Sequence, residues 1–338
     1  MINKQTQALL LLCCHFSKAK KNEPKPLTPT EFKRFSEWLF EKKLMPGSLI
    51  DDFENVVSDW KDPKGKIEPK RLKYLLGRGL EMSISLEKWT NASIWIMHKK
   101  DPDYPKILMN KLKGSEPSII FGIGNKKLLN MGGLAIVGSR NIDKNDEKFT
   151  KDLSNKIALE GKNIVSGGAR GVDEIAMLAA LEADGTAVGV VADSLLEKSI
   201  SKKWRKYIKN NNLVLVSTFY PEAGFNVGNA MARNKFVYCL SDAALVIQSG
   251  SKGGTITGAM ENIKKDWTTL WVKRSDDESS GNSLINDAGG HWCESDVEKI
   301  DPKSLFISQK KSIKTKKSIK TKKSIKTKKT EKQIEMFD

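Results

Sequence analysis

The chain has 338 residues, a formal net charge of +17 and 29% charged residues. That length predicts two or three domains, and the charge points to a polyanionic partner, with nucleic acid ahead of anionic membrane. Four cysteines without a C-x-x-C and only three histidines exclude a zinc site or disulfide framework, and no apolar run reaches the roughly 18 residues of a membrane span. The pattern reads as a reduced, cytoplasmic chain.

Residues 1–90 read as helical. ALLLLCCHF (8–16) has only Lys4 before it, KAKK after it and no small-residue cleavage site. It therefore reads as a buried helix rather than a signal segment, with Cys13 and Cys14 in the core. LTPTEFKRFSEWLFEKKL (27–44) carries a threonine cap signal and sets Phe32, Phe35, Trp38, Leu39 and Phe40 at helical spacing. RLKYLLGRGLEM and LEKWTNASIWIM continue the helical pattern. A small helical bundle is predicted, with the aromatic stripe as core rather than as a base-stacking platform. Residues 91–133 form a bridge with a proline-bearing turn, a short helix, the strand-like PSIIFGIG and a Gly-Asn turn.

Over residues 134–300 the runs LAIVG, NIVSG, TAVGVVA, LVLVS, AALVIQ and TLWVK fit buried parallel strands. Helical stretches such as DEKFTKDLSNKIALEG and VDEIAMLAALEA separate most of them. The alternation predicts an α/β fold with an extended Rossmann-like, doubly wound, mostly parallel sheet. The expected domains are 1–90 (helical), 91–306 (Rossmann-like, core 134–300) and 307–338 (basic tail). The tail holds three near-exact copies of KKSIKT, and residues 310–338 carry 12 lysines against three carboxylates, more than half of the net charge. One isoleucine per copy cannot bury a core, so disorder is predicted there.

A parallel sheet delivers its strand-to-helix turns to one edge, where free backbone N–H groups and helix N-termini attract anions. Four segments bring glycines and cations to that edge. GSR (138–140) offers Gly138, Ser139 and Arg140, the last suited to a bidentate phosphate contact. SGGARGVD (166–173) places Ser166, Gly167, Gly168, Arg170 and Gly171 ahead of a helix that Asp173 would cap. ARNK (232–235) sets Arg233, Asn234 and Lys235 just before the apolar run FVYCL. SGSKGGT (249–255) supplies Lys252, Gly253, Gly254 and Thr255. Singly, each also fits an ordinary surface turn or helix start; jointly they predict a phosphate-bearing ligand. The order G-x-x-x-x-G-K-[ST] is absent, which argues against nucleotide hydrolysis. The first turn lacks G-x-G-x-x-G, which argues against NAD or FAD. No Ser-His-Asp, Cys-His or paired-carboxylate arrangement is visible, so no catalytic residue, cofactor or metal is assigned.

In this order and spacing the segments resemble the DprA/Smf family of DNA-processing proteins, over residues from about 95 to 290. DPDYPKIL is similar to the family's Tyr-Pro lead-in, SGGARGVDEIAMLAAL to its SG-x-ARG-x-D…AL segment, MARNKFVYCLSD to its RN-containing segment, and GNSLINDAGG (281–290) to its closing Leu-Ile…Gly-Ala. The resemblance implies an extended Rossmann fold that binds single-stranded DNA, forms a homodimer and delivers the strand to a RecA-type recombinase in DNA processing, transformation and recombination. It implies a pocket lined by Gly138, Ser139, Arg140, Ser166, Gly167, Gly168, Arg170, Arg233, Asn234, Lys235, Gly253, Gly254 and Thr255, with a salt-sensitive, sequence-tolerant grip. Met177 stands where the family has His, SGSKGGT replaces a Ser-Leu-Ile-Thr type of turn, and lysine repeats occupy the place of a winged helix. These departures mark a divergent branch. QIEMF (333–337) resembles the Q-x-x-[LM]-F peptide that docks on the bacterial sliding clamp, with Gln333, Ile334, Met336 and Phe337 as its anchors.

Two other readings stay open. One is a sensor or hydrolase of a small nucleotide-derived ligand in the same pocket. Related cleaving enzymes carry a PGG-x-GT-x-x-E turn; here GGTITGAME (253–261) has the GGT, but Glu261 lies six residues beyond Thr255. The other is a pure adaptor linking the clamp to a further factor.

Overall fold

The computed structural model describes residues 2–18, 20–275 and 280–307. Six helices come first: α1 (Lys4–Cys13), α2 (Pro29–Glu41), α3 (Ser48–Asp51), α4 (Phe53–Val57), α5 (Pro69–Leu76) and α6 (Gly79–Asn91). Strand β1 (Trp95–His98), helix α7 (Lys106–Leu112) and strand β2 (Ile119–Gly124) lead into the alternating part. That part runs β3 (Leu134–Val137), α8 (Lys144–Leu159), β4 (Ile164–Ser166), α9 (Val172–Glu182), β5 (Ala187–Val190), α10 (Leu195–Ile200), α11 (Lys202–Lys209) and β6 (Leu213–Ser217). It continues with α12 (Val227–Cys239), β7 (Ala243–Val246), α13 (Gly254–Lys265), β8 (Thr269–Lys273), α14 (Gly281–Asp287) and β9 (His291–Cys293).

The nine strands form one sheet in the order β1-β2-β6-β5-β4-β3-β7-β8-β9. The pairs from β6 through β9 are parallel, and β2 joins β6, and β1 joins β2, antiparallel. The α/β expectation holds, and the six apolar runs are β3 to β8. Period-2 alternation splits each strand between two cores. Leu134, Ile136, Ile164, Leu213 and Leu215 face α1, α6, α8, α9 and α11. Ala135, Val165, Val188, Val214 and Val216 face α7, α12, α13 and α14. Burial pushes the Cys14, Cys239 and Cys293 thiols up to about 12, so they behave as apolar core groups.

The N-terminal helices have a cluster of their own around Phe35, Leu39, Trp60, Leu72 and Leu75, yet they also reach the sheet. In α1, Leu12 joins that cluster while Leu10 and Leu11 join the core beneath the sheet. Helix α2 starts on a capping box, in which Thr28 accepts from the Glu31 amide and Glu31 accepts in return, with Pro29 in the first turn. Arg78 donates to the carbonyl oxygens of Leu11 and Cys14, closing the end of α1. Phe35 and Trp60 are core, but Phe40 is 79% exposed, so the aromatic stripe is not core throughout.

Three local features depart from the sequence pattern. SIWIM does not continue α6. Ser93 takes the left-handed conformation (φ 58°) and ends the helix, and Trp95–His98 pairs with β2. Gly122 makes this possible, because a Cβ there would fall on the Trp95 ring. ARNK is not a turn; it lies inside α12, whose last turn is the apolar FVYC. HWC (291–293) is a strand, recruited by pairing with β8. The lysine repeats and the QIEMF end lie outside the described residues.

Asp62 ties the N-terminal helices together. Its carboxylate accepts from Arg34 at 2.7 and 3.0 Å and from the amides of Lys64, Lys66 and Ile67. The Arg34 guanidinium, helped by these amides, holds the carboxyl well below the usual carboxylate range. A depressed folded pKa contributes stability above the ordinary carboxylate pKa and loses it as pH falls through the folded value. Asp62→Asn is therefore expected to lower the melting midpoint at neutral pH by about 5 °C, with the gap closing in acid. Thermal melts of both chains from pH 7 downwards check this.

Candidate nucleic-acid interface

The chain leaves β3 and winds outward through β4, β5 and β6, then returns to the other side of β3 as β7. The winding reverses between β3 and β7, and a crevice opens at the carboxyl ends of strands at such a point. Two hollows lie there. The first, of about 360 Å³, is lined by Gly138, Ser139 and Arg140 after β3, by Gly250 and Lys252 after β7, and by Gly254 and Thr255 opening α13. Phe225, Val227, Ala230, Met231, Arg233 and Asn234, in and before α12, form its other wall. The second, of about 250 Å³, is lined by Gly167, Gly168, Ala169 and Arg170 after β4, with Glu174, Asp193 and Lys198. Arg140, Ala169, Phe225 and Arg233 line both.

Backbone bonds lock the turns to one another. The Ser139 amide donates to the Gln248 carbonyl at 2.9 Å, and the Ser139 carbonyl accepts from the Val172 amide at 3.2 Å. Thr255 Oγ1 donates to the Gly138 carbonyl at 3.1 Å, and Asn234 Nδ2 to the Gly254 carbonyl at 3.0 Å. The turn before α9 passes so close that a Cβ on Gly171 (φ 88°) would meet the Ser139 carbonyl oxygen at 2.5 Å. Helix α13 starts from Gly253 (φ 114°) with no side-chain cap and no acid in its first turn. Its first amides and dipole therefore favour an anion, and Lys252 adds a cation beside them. Helix α9 also lacks a side-chain cap, but Asp173 and Glu174 in its first turn oppose an anion there.

Arg233 sits beneath this surface, 5% exposed. Its Nη1 donates to the Val190 carbonyl at 2.5 Å, and its Nη2 lies 4.0 Å from the Asp173 carboxylate. Its Nε has no hydrogen-bond partner. Burial pushes the Asp173 carboxyl up while Arg233 pulls it down, and burial lowers the Arg233 pKa while Asp173 raises it. Asp173 does not cap α9; the cap position is Gly171. A Cβ on Gly167 would fall on the Arg233 guanidinium, so packing requires glycine there.

The sequence-derived site residues divide accordingly. Gly138, Ser139, Arg140, Asn234, Lys252, Gly254 and Thr255 converge on the first hollow, and Gly167, Gly168 and Arg170 on the second. Ser166 does not reach either; it is fully buried and donates to the Ile136 carbonyl at 2.6 Å. Ser139 Oγ donates to the Asn141 carbonyl at 2.7 Å, and Arg170 Nη2 donates to Asn141 Oδ1 at 3.0 Å, so part of their capacity is used within the loop. Lys235 points to a different hollow, beside Lys111, Lys113, Lys265 and Trp267. Gln333, Ile334, Met336 and Phe337 lie outside the described residues.

Sequence reasoning missed the apolar wall. Phe225 is 51% exposed and lies under the Arg140 guanidinium at 4.8 Å, and Val227 and Met231 are exposed beside it. The only signal in GFNVGNAM was large apolar residues among glycine and asparagine, with no strand or helix period. Arg233→Ala is expected to cost about 3–5 kcal/mol, because Asp173 would keep its burial and lose its cation. Arg140→Ala, at an exposed position, should leave the melting midpoint nearly unchanged. Melts of the two variants check the contrast; equal small shifts would contradict the buried role.

A family model described as DNA recombination-mediator protein A matches residues 95–301. The chain is 26% identical over 253 residues to the protein Smf of Synechocystis, covering 70% of this chain and 63% of that protein. It is similar to the solved structure of DNA processing protein A from Streptococcus pneumoniae, with a TM-score of 0.58, 19% identity, and 79% of this chain and 95% of that one covered. Against DNA processing protein A from Helicobacter pylori, a structure concerned with single-stranded DNA binding, the TM-score is 0.52 at 25% identity, covering 63% of this chain and 94% of that one. The chain spans less than two thirds of the length of the curated relatives it matches. The family match takes in every strand of the sheet and every turn of the cleft, and the chain belongs to the DNA recombination-mediator protein A family.

Proposed function

We propose that the cleft over β3 and β7 binds single-stranded DNA with little sequence preference and without catalysis. Phosphates rest on Arg140, Lys252 and the first amides of α13, and unstacked bases rest on Phe225 and Met231. The observation that carries this is a cationic rim and an exposed apolar wall in one cleft, with Arg140 lying over the half-exposed Phe225 ring. A phosphate needs the rim, and a base face needs the wall. A duplex hides its base faces and gains only the rim. The Helicobacter pylori relative, whose structure concerns single-stranded DNA, and the DNA processing names of the relatives support the same reading. Homodimer formation, delivery of the strand to a RecA-type recombinase in transformation or recombination, and clamp docking through Gln333, Ile334, Met336 and Phe337 belong to the proposal. No helix among the described residues is long and apolar enough to cross a membrane.

The first hollow's volume also suits a small nucleotide, which keeps a second reading in play. Fluorescence anisotropy of the full chain with a labelled single-stranded oligonucleotide separates the two. The chain is expected to prefer the single strand over duplex. Arg140→Ala with Lys252→Ala should weaken binding about tenfold or more, and Phe225→Ala by about 1–3 kcal/mol. A mononucleotide that displaces the oligonucleotide at low concentration, with Phe225→Ala neutral toward DNA, would sink the first reading and favour the second.

A further inference from the structure

Helix α11 gathers like charge on one face. Lys202, Arg205, Lys206 and Lys209 recur at i, i+3, i+4 and i+7 and so share one face, and all four are exposed. The ion pairs of this region go elsewhere, Lys198 to Asp193 at 3.2 Å and Lys203 to Glu174 at 2.5 Å. Among the described residues none of the four has a carboxylate partner; Lys206 alone has a ring contact, 5.5 Å from the centre of Tyr207. Like charges one turn apart destabilise a helix, and cations in the first turn oppose its dipole. No acid stands in that first turn. The helix is held instead by buried Trp204, with Tyr207 and Ile208 packed against the same core. Lys206 and Lys209, in the last turn, suit the dipole, but the four cations repel one another along one face and no carboxylate offsets them there.

We infer that this face is a second phosphate-contacting surface, for the stretch of single strand that leaves the cleft; the inference rests on the function proposed above. The helix starts beside the cleft. Lys198, on α10 just before α11, lines the second hollow together with Arg140 and Arg170, as does Glu174, the partner of Lys203. Residues 193–212 hold six cations against two carboxylates. A membrane surface fits less well, because the apolar residues of α11 face the core. The exposed large apolar side chain of this stretch, Ile200, lies on the preceding helix. Eight helical residues span about 12 Å, enough for about three consecutive phosphates.

The test uses the full chain and the variant K202Q/R205Q/K206Q/K209Q. Each is titrated over a salt series with an oligonucleotide of about six nucleotides, which fills the cleft alone, and one of about twenty, which overruns it. The expected result is a short-oligonucleotide affinity unchanged within about twofold and a long-oligonucleotide affinity lowered about tenfold or more. The slope of log affinity against log salt should become shallower by about 2 for the long strand. Replacing Lys202, Lys206 and Lys209 by Arg should leave the long-strand affinity at the parent level. The melting midpoint should be unchanged or raised, which separates lost contact from lost fold. Equal affinities and slopes for parent and variant on the long strand would overturn the inference, as would equal weakening on both lengths. Loss of binding to phosphatidylserine vesicles with DNA affinity intact would overturn it in favour of a membrane surface. If the short strand binds normally to Arg140→Ala with Phe225→Ala, the cleft reading fails on its own, independently of the length dependence that reports on α11.

Discussion

A guanidinium buried under the β4 turn is the constraint on which the cleft depends. Arg233 reaches from α12 to the Val190 carbonyl at the end of β5 and to Asp173 at the start of α9. A buried charge without a partner is costly, so these groups hold the three elements in one arrangement. The same guanidinium occupies the space that a side chain on residue 167 would need. The turn is therefore glycine, and its backbone can approach a ligand. With α12 fixed by Arg233, its first turn holds Val227, Ala230 and Met231, with Phe225 ahead of them, across the cleft from Arg140 and Lys252.

The sheet supplies the rest of the geometry. Parallel strands buried on both faces put all their following turns at one edge, and the reversal between β3 and β7 parts those turns into a crevice. The Ser139 backbone joins two neighbours, accepting from Val172 and donating to Gln248. The loops are thus positioned by the frame rather than by the ligand, and a preorganised site loses less entropy on binding.

A strongly basic composition does not say which cations face a partner. Lys273 is spent on Asp146 at 2.5 Å, with both side chains largely buried. Lys111 donates to the Ser241 carbonyl at 2.7 Å, and Arg34 and Arg71 clamp Asp62 and Glu31. These hold the fold. Arg140, Lys252 and the outer face of α11 have no such role, and their charge is free to act on a polyanion.

How much was legible in the sequence follows from what each feature depends on. Strands β3 to β8 and helices α8 and α9 were legible because burial on both faces writes continuous apolar runs, and amphipathic burial writes a helical period, into the local sequence. The glycine turns, with Arg140, Arg170 and Lys252, were legible because backbone freedom and anion affinity are properties of single residues in short segments. Strand β1 was not, since Trp95 is held extended by pairing with Gly122, a partner distant in the chain. The roles of Arg233, Ser166 and Lys235 were not legible either. Whether a polar side chain points into a cleft, into the core or to another face depends on the helix or strand that carries it and on what packs there. The sequence by itself determined the fold class, the family and the edge of the sheet at which the glycine turns gather. Only the tertiary structure decided which cations are buried, which are exposed, and that an apolar wall stands opposite the charged rim, because those are facts of packing between distant segments.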